Sequence, residues 1–312
     1  MKIESKLMTE GLFGQIFVWL LELLPYLDSN GLKPEWCVRT KNYGEPPDDN
    51  IFPGIIRTRY TPSPDGRGTE SLEALKWKHM HFYKHDFRLA NQLWNSYFSF
   101  PEDVIAALEE YCLKNFSGET VLGVHYRGTD KNADGEQTNP VGVVEFIWVV
   151  REFLAVHKDI TAVFVATDDL RFLRAISKLK KVLFIPQPRS EDDRPVWNRH
   201  PSGANQGIAK YAILDCLALS RCDYVLKCMS ALSAFSKVIN PDLKTFRISA
   251  CKVDWFPESY VPLYSSSNPF TRQLLQKLQQ GDVSASRAPA FSEPILPPLA
   301  PHPALIPAGL CQ

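Results

Sequence analysis

Between Glu119 and Ala250 the chain changes its hydrophobic period again and again, and this alternation constrains the fold more than any other feature. Short apolar, β-branched runs at 121–126, 161–167, 182–185, 223–227 and 244–248 are separated by helical stretches at about 141–157, 169–179, 205–221 and 231–239. Strands alternating with helices of this length predict right-handed βαβ units and a mostly parallel, doubly wound sheet. Sheets of that kind bind ligands outside the carboxyl ends of their strands. The search for chemistry therefore starts at those ends.

The first run leaves its buried segment as His125-Tyr126-Arg127-Gly128-Thr129-Asp130-Lys131. Arg127 offers a planar fork of donors and Lys131 a point charge, a pairing suited to phosphate. A polar turn with solvated charges would use the same residues. Thr167-Asp168-Asp169 ends the second strand. One of these two carboxylates is expected to cap the following helix, and the other to face the cleft. Asp215 lies in a helix whose second half is apolar on every face. An ionised carboxylate there needs a partner. That partner is either a cation (Arg221, His125 or Lys227) or a ligand with two parallel N–H donors. Ser230 and Ser233 open the last helix of the run, where a hydroxyl caps and free N–H groups attract an anion. The chain has no isolated Asp-x-Asp, no P-loop and no Gly-x-Gly-x-x-Gly. Phosphate is thus expected on Arg, Lys and helix ends, with no metal and no cofactor.

Upstream, Gly11-Leu12-Phe13-Gly14-Gln15 leads into an apolar helix through Leu24 that Pro25 is expected to end. The segment is short for a membrane span and lacks the pattern of a signal peptide. Trp36–Arg39 reads as a strand. The Pro-, Gly- and Asp-rich stretch 41–69 reads as a surface excursion, followed by two aromatic-rich helices over 70–98 and another from Pro101 to about Asn115. The aromatic pair is expected in the core, with a sugar site as the other use of such rings. Seven prolines between Pro289 and Pro307 rule out regular structure and predict a disordered tail. The expected division is 1–117 and 118–281, the latter for nucleotide binding, and 282–312 for the tail. Lys+Arg and Asp+Glu are equal at 35 each, so no electrostatic footprint for nucleic acid shows at chain level. Seven cysteines with no Cys-x-x-Cys pair point to reduced thiols and a cytoplasmic location.

His125 through Lys131 resembles the His-x-Arg-Arg-Thr-Asp-Lys motif of α1,6-fucosyltransferases, with a looser likeness to protein O-fucosyltransferases. Val163 to Asp169 resembles their second motif. Gly203 to Asp215, Leu219 to Tyr224 and Met229 to Ser233 resemble the third, and Gly11 to Gln15 is similar to their N-terminal glycine loop. The resemblance implies a GT-B-like fold, two Rossmann-like domains facing a cleft. It also implies inverting, metal-independent transfer of fucose from GDP-fucose, the co-substrate, to a glycan or glycoconjugate acceptor. Carried over, Arg127 would grip the β-phosphate, His125 the ribose, Asp215 the guanine and Ser230 the diphosphate. Lys131, Gly11 and Gly14 would complete the donor site. Glu136, with Asp134 or Asp130 as alternatives, would be the catalytic base beside Arg127. Gly128 departs from the motif's second arginine. That departure leaves open another GDP-sugar, or a non-catalytic relative that binds a nucleotide or glycan.

Overall fold

The computed structural model describes residues 1–7, 11–40, 42–43, 50–63, 66–79, 86–129, 141–179, 181–196 and 206–248. The expected tail at 282–312 lies outside the described residues, as do Lys131 and Glu136. In chain order the elements begin with β1 (Lys2–Leu7), a π-helical turn (Leu12–Phe17), α1 (Val18–Ser29), β2 (Glu35–Thr40), α2 (Phe52–Ile55), β3 (Arg57–Thr58) and β4 (Thr69–Ser71). They continue with α3 (Leu72–Lys78), α4 (Phe87–Tyr97), β5 (Phe98–Ser99), α5 (Glu102–Asn115), β6 (Val121–Tyr126) and α6 (Val143–Val156). The run closes with β7 (Ala162–Thr167), α7 (Leu170–Ile176), β8 (Val182–Leu183), α8 (Gln206–Ser220), β9 (Tyr224–Lys227), α9 (Ala231–Ile239) and β10 (Lys244–Arg247).

The expected alternation folds into a five-stranded, all-parallel sheet ordered β10-β9-β6-β7-β8. From β6 the chain winds outward through β7 and β8, then crosses to β9 and β10 on the other side. The strand order therefore reverses between β6 and β9, the point where such a sheet opens a ligand crevice. Both β6 and β7 are buried at every position, as strands covered on two faces must be. Leu122, Val124 and Tyr126 pack with α6 and α7 on one face, and Val121 packs on the opposite face with α8 and α9. Gly123 lets that second layer approach: a Cβ there would meet Val225 at 2.9 Å and Leu219 at 3.0 Å.

The N-terminal half carries its own parallel sheet, β2-β1-β4, with β3 and β5 paired antiparallel beside it. Two expectations are corrected here. The helix does not end at Pro25; α1 runs to Ser29 with the proline inside it. Burial of Leu23, Leu24 and Leu27 outweighs the lost backbone hydrogen bond. The stop comes at Asn30-Gly31, where Gly31 takes φ 60° and the backbone N–H of Leu32 donates to the Leu27 carbonyl. Nor is 41–69 wholly a surface excursion, because Ile51, Phe52, Ile55 and Ile56 are buried. Asn50 ties them to β2, accepting from the Val38 amide and donating to the Trp36 carbonyl.

One hydrophobic core runs through both halves. Leu12–Ser29 is long and apolar enough to cross a membrane by length and composition, yet it supplies much of this core. Phe17 is fully buried, with ring centroids 4.5 Å from Phe13, 5.6 Å from Trp94 and 5.1 Å from Phe235 of α9. The Trp94 and Tyr97 rings of α4 are core as well. Polar ties follow the same seam: Asn91 donates to the Val238 and Ile239 carbonyls, and Lys210 pairs with Asp103. Phe17→Ala is expected to cost about 3–5 kcal/mol. Denaturant unfolding, followed by fluorescence and circular dichroism together, should still give one coincident transition. Two separated transitions would show that the halves are not a single cooperative unit.

Candidate functional site

At the point of reversal the ends of β6 and β9 are stitched together. The Cys228 amide donates to the His125 carbonyl at 3.1 Å, and the Arg127 amide to Cys228 Sγ at 3.1 Å. His125 is buried, its Nδ1 2.8 Å from Ser233 Oγ. The Ser233 hydroxyl donates onward to the Ser230 carbonyl at 3.3 Å, so its oxygen accepts from Nδ1–H. This tautomer leaves Nε2 as an acceptor. Burial first, then the charges of Lys227 and Arg127, push the imidazole pKa down to about 3. The ring is neutral across the physiological range.

Asp169 caps α7, the role expected of one of the pair, while Asp168 is taken up by the residues that leave β6. The Asp169 side chain accepts from the Arg171 and Phe172 amides and pairs with the Arg171 guanidinium. The Asp168 carboxylate takes three donors from the end of β6: the Arg127 guanidinium, the Gly128 amide at 3.0 Å and the Thr129 hydroxyl at 2.8 Å. Thr129 holds φ 50°, a backbone conformation disfavoured for a β-branched residue. Gly128 is a steric necessity. A Cβ there would meet Asp169 Oδ2 at 2.7 Å and Asp169 Cβ at 2.8 Å. The missing second arginine of the motif has no room to return while Asp169 holds its place.

Asp215 is buried on α8. Its partner is not Arg221, His125 or Lys227: Gln187 Nε2 donates to Oδ2 at 2.6 Å, and Arg221 pairs with Glu109 instead. The second oxygen, Oδ1, is buried with no hydrogen-bond partner. Burial pushes the carboxyl pKa up to about 7, with the Gln187 hydrogen bond and the Arg189 charge opposing part of that rise. Arg189 is itself held by the Thr167, Ile185 and Gln187 carbonyls, which fixes it to the ends of β7 and β8. Gln187 and Arg189 were missed in the sequence. The signal for them is Pro186-Gln187-Pro188-Arg189, where two prolines stiffen an extended strand exit.

Ser230 occupies the N-cap position of α9, but its hydroxyl makes no capping bond. Gly11 precedes the π-helical turn and Gly14 lies within it; that turn packs on α9 through Phe13 and Phe17 against Phe235. The same turn buries Gln15 Oε1 with no hydrogen-bond partner. The structure thus brings His125, Arg127, Asp215 and Ser230 to one carboxyl edge. Among the described residues, no group of three His, Cys, Asp or Glu side chains is arranged to hold a metal ion.

No protein-family model matches the chain, and comparison with curated protein sequences finds no match. Solved structures do match. The fucosyltransferase NodZ from Bradyrhizobium superimposes with a TM-score of 0.51 at 17% identity, over 77% of this chain and 93% of that one. NodZ α1,6-fucosyltransferase co-crystallised with GDP gives 0.50 at 15% identity, over 80% and 95%. The fold is GT-B. At this identity the likeness speaks for architecture alone.

Two outcomes test the site's local physics. Gly128→Ala forces Asp169 off its cap, and a loss of about 1–3 kcal/mol is expected in equilibrium unfolding. No loss would mean that the cap moves freely. For Asp215 the ordinary pKa is 3.8 and the folded one about 7. Below the lower value both states are protonated. As pH rises between the two values the unfolded chain ionises while the folded carboxyl keeps its proton, so stability falls; above the higher value the whole penalty stays. Asp215→Asn should therefore gain stability relative to the parent as pH rises from about 4 to 7, read as the difference in urea midpoints. A difference independent of pH would sink this account.

Proposed function

We propose that the protein is a glycosyltransferase that moves fucose from GDP-fucose to a glycan or glycoconjugate acceptor. The observation that carries the reading is the open Oδ1 of buried Asp215, on the same sheet edge as Arg127 and the start of α9. A guanine presents two adjacent N–H donors. They would bond the Asp215 carboxylate and favour its ionised form over the proton it otherwise keeps. The Nε2 acceptor of His125 suits a ribose hydroxyl, and the N-terminus of α9 with Ser230 suits the diphosphate. The two solved structures named above, a fucosyltransferase and the same kind of enzyme with GDP, support the choice of donor.

In this reading, residues 118–281 hold the donor and 1–117 face the acceptor. Lys131 and the Gly11 and Gly14 turn complete the donor site. The acceptor hydroxyl attacks the anomeric carbon from the face opposite GDP and inverts it, while a carboxylate, for which Glu136 is our candidate, takes its proton. The bond to the β-phosphate oxygen breaks as negative charge grows on GDP. Arg127 answers that charge, so its contribution is greatest in the transition state. No metal enters the step. The reading carries a cytoplasmic location, consistent with Leu12–Ser29 serving as core.

Calorimetric titration of the full chain with GDP, UDP and ADP tests the donor base: GDP is expected to bind tightest, and equal affinities would reject the guanine reading. Arg127→Ala is expected to lower transfer by about 100-fold or more. Release of free sugar from GDP-fucose and GDP-mannose, assayed side by side, checks the sugar. Faster turnover of GDP-mannose would replace fucose as the donor sugar.

A further inference from the structure

We propose that Gln187 sets which purine the site accepts: in the free protein its side-chain amide holds the place on the Asp215 carboxylate that a base N–H group takes, and the base displaces it. The proposal rests on the guanine reading of Asp215 above and adds a specificity-determining residue to it.

Gln187 lies beyond the end of β8, in the stretch Pro186-Gln187-Pro188-Arg189. Its Nε2 donates to Asp215 Oδ2 at 2.6 Å; among the described residues this is the one hydrogen bond of its side chain. The main chain around it is fixed. Prolines on both sides lock φ and carry no amide donor. The Gln187 carbonyl accepts from Arg189 Nη1 at 3.2 Å, and the same guanidinium holds the Thr167 and Ile185 carbonyls at 3.1 and 2.9 Å. Arg189 is thus committed elsewhere, whereas the half-buried Gln187 side chain has a single bond to release before it swings away. Asp215 itself is 5% exposed, so a ligand reaches its carboxylate by moving a neighbour, and Gln187 is the neighbour held least.

The two carboxylate oxygens are therefore unequal. Oδ2 already has its N–H donor from Gln187, and Oδ1 is buried with none. A guanine brings two adjacent donors, the ring N1–H and the exocyclic amine. The one that meets Oδ1 adds a hydrogen bond where none existed, and relieves a buried acceptor. The one that meets Oδ2 replaces Gln187, whose amide returns to water. Exchange of one hydrogen bond for another nets little, so the amine contributes little to affinity. Hypoxanthine keeps the N1–H and lacks the amine; it leaves Gln187 in place and loses almost nothing. Uracil flanks its single N–H with two carbonyls, one of which would face the carboxylate. The site is thereby matched to 6-oxopurine nucleotides as a class, with Gln187 blunting its preference for guanine within that class.

The test is calorimetric titration of the full chain and of Gln187→Leu with GDP, inosine diphosphate and UDP, with melting curves as the check on folding. Gln187→Ala provides the same comparison should the Leu variant fold poorly. GDP and inosine diphosphate differ by the amine alone, so their affinity ratio reads the bond to Oδ2. In the parent the two are expected to bind within about threefold of each other. Without the Gln187 amide the amine meets an unoccupied oxygen, and GDP should exceed inosine diphosphate by about 10-fold or more. A ratio that the substitution leaves unchanged, with GDP still tighter than UDP, overturns the proposal while the guanine reading stands. Equal binding of GDP, inosine diphosphate and UDP by parent and variant rejects the guanine reading, and the proposal with it.

Discussion

The Asp168 carboxylate is the contact on which the binding edge depends. Three donors that leave β6 in sequence, the Arg127 guanidinium, the Gly128 amide and the Thr129 hydroxyl, all end on it. The turn after β6 is thereby pulled against the end of β7 and held in a backbone conformation that Thr129 would not choose alone. The neighbouring carboxylate is spent differently. Asp169, fully buried, caps α7, and its position is what keeps residue 128 a glycine. Two adjacent acids of one strand end thus decide where the arginine sits and how much room surrounds it. They also set a competition, because any phosphate that reaches Arg127 meets a guanidinium already engaged by a carboxylate.

That edge sits on a scaffold whose two halves share one buried core. In a two-sheet architecture a cleft is often served by halves that move against each other, since interfaces between domains within a chain are commonly modest and polar. Here the rings of Phe17, Trp94 and Phe235 close a core that draws on α1, α4 and α9 together. The α9 helix is fastened from both sides: Asn91 of α4 takes the Val238 and Ile239 carbonyls near its end, and Ser233 at its start bonds His125 of β6. A helix so held presents its first turn at a fixed place. Pre-organisation of this kind lowers the ordering cost of capturing a ligand.

How much of this was legible in the sequence follows from what each feature depends on. The five strands and four helices after residue 119 were legible because their periods come from burial on two faces, a local property of the residues. The apolar surroundings of Asp215 were legible for the same reason, and so was a cap for α7 from one of Asp168 and Asp169, since capping is local; which of the two it is was not. The β1 strand went unread. Its alternation is real, with Ile3 and Ser5 buried, but Ser5 is satisfied by Glu73, far along the chain, and a buried serine does not look like a core residue. The stop at Pro25 was misjudged because a proline's cost is local whereas the burial that overrides it is tertiary. Gln187 reaching Asp215 and Asp169 closing on Gly128 are contacts between segments, and no single stretch carries their signature.

Two buried titratable groups of the edge, Asp215 and His125, move in opposite directions for one reason, and that reason bears on what the site can hold. Burial favours the neutral form of each: it raises the pKa of the Asp215 carboxyl and lowers that of the His125 imidazole. Burial therefore holds the acid partly protonated near neutral pH and keeps the histidine from acting as a cation. The strand ends still carry Arg127 and Lys227, with the start of α9 beside them. An edge arranged in this way gathers basic side chains, one of them already paired with Asp168, and leaves Asp215 Oδ1 without an N–H donor. In the reading proposed above, a diphosphate would compete with Asp168 for the arginine and a guanine would supply the donors, both from one molecule. A monophosphate or a bare sugar would answer only part of what the burial of these groups has left open.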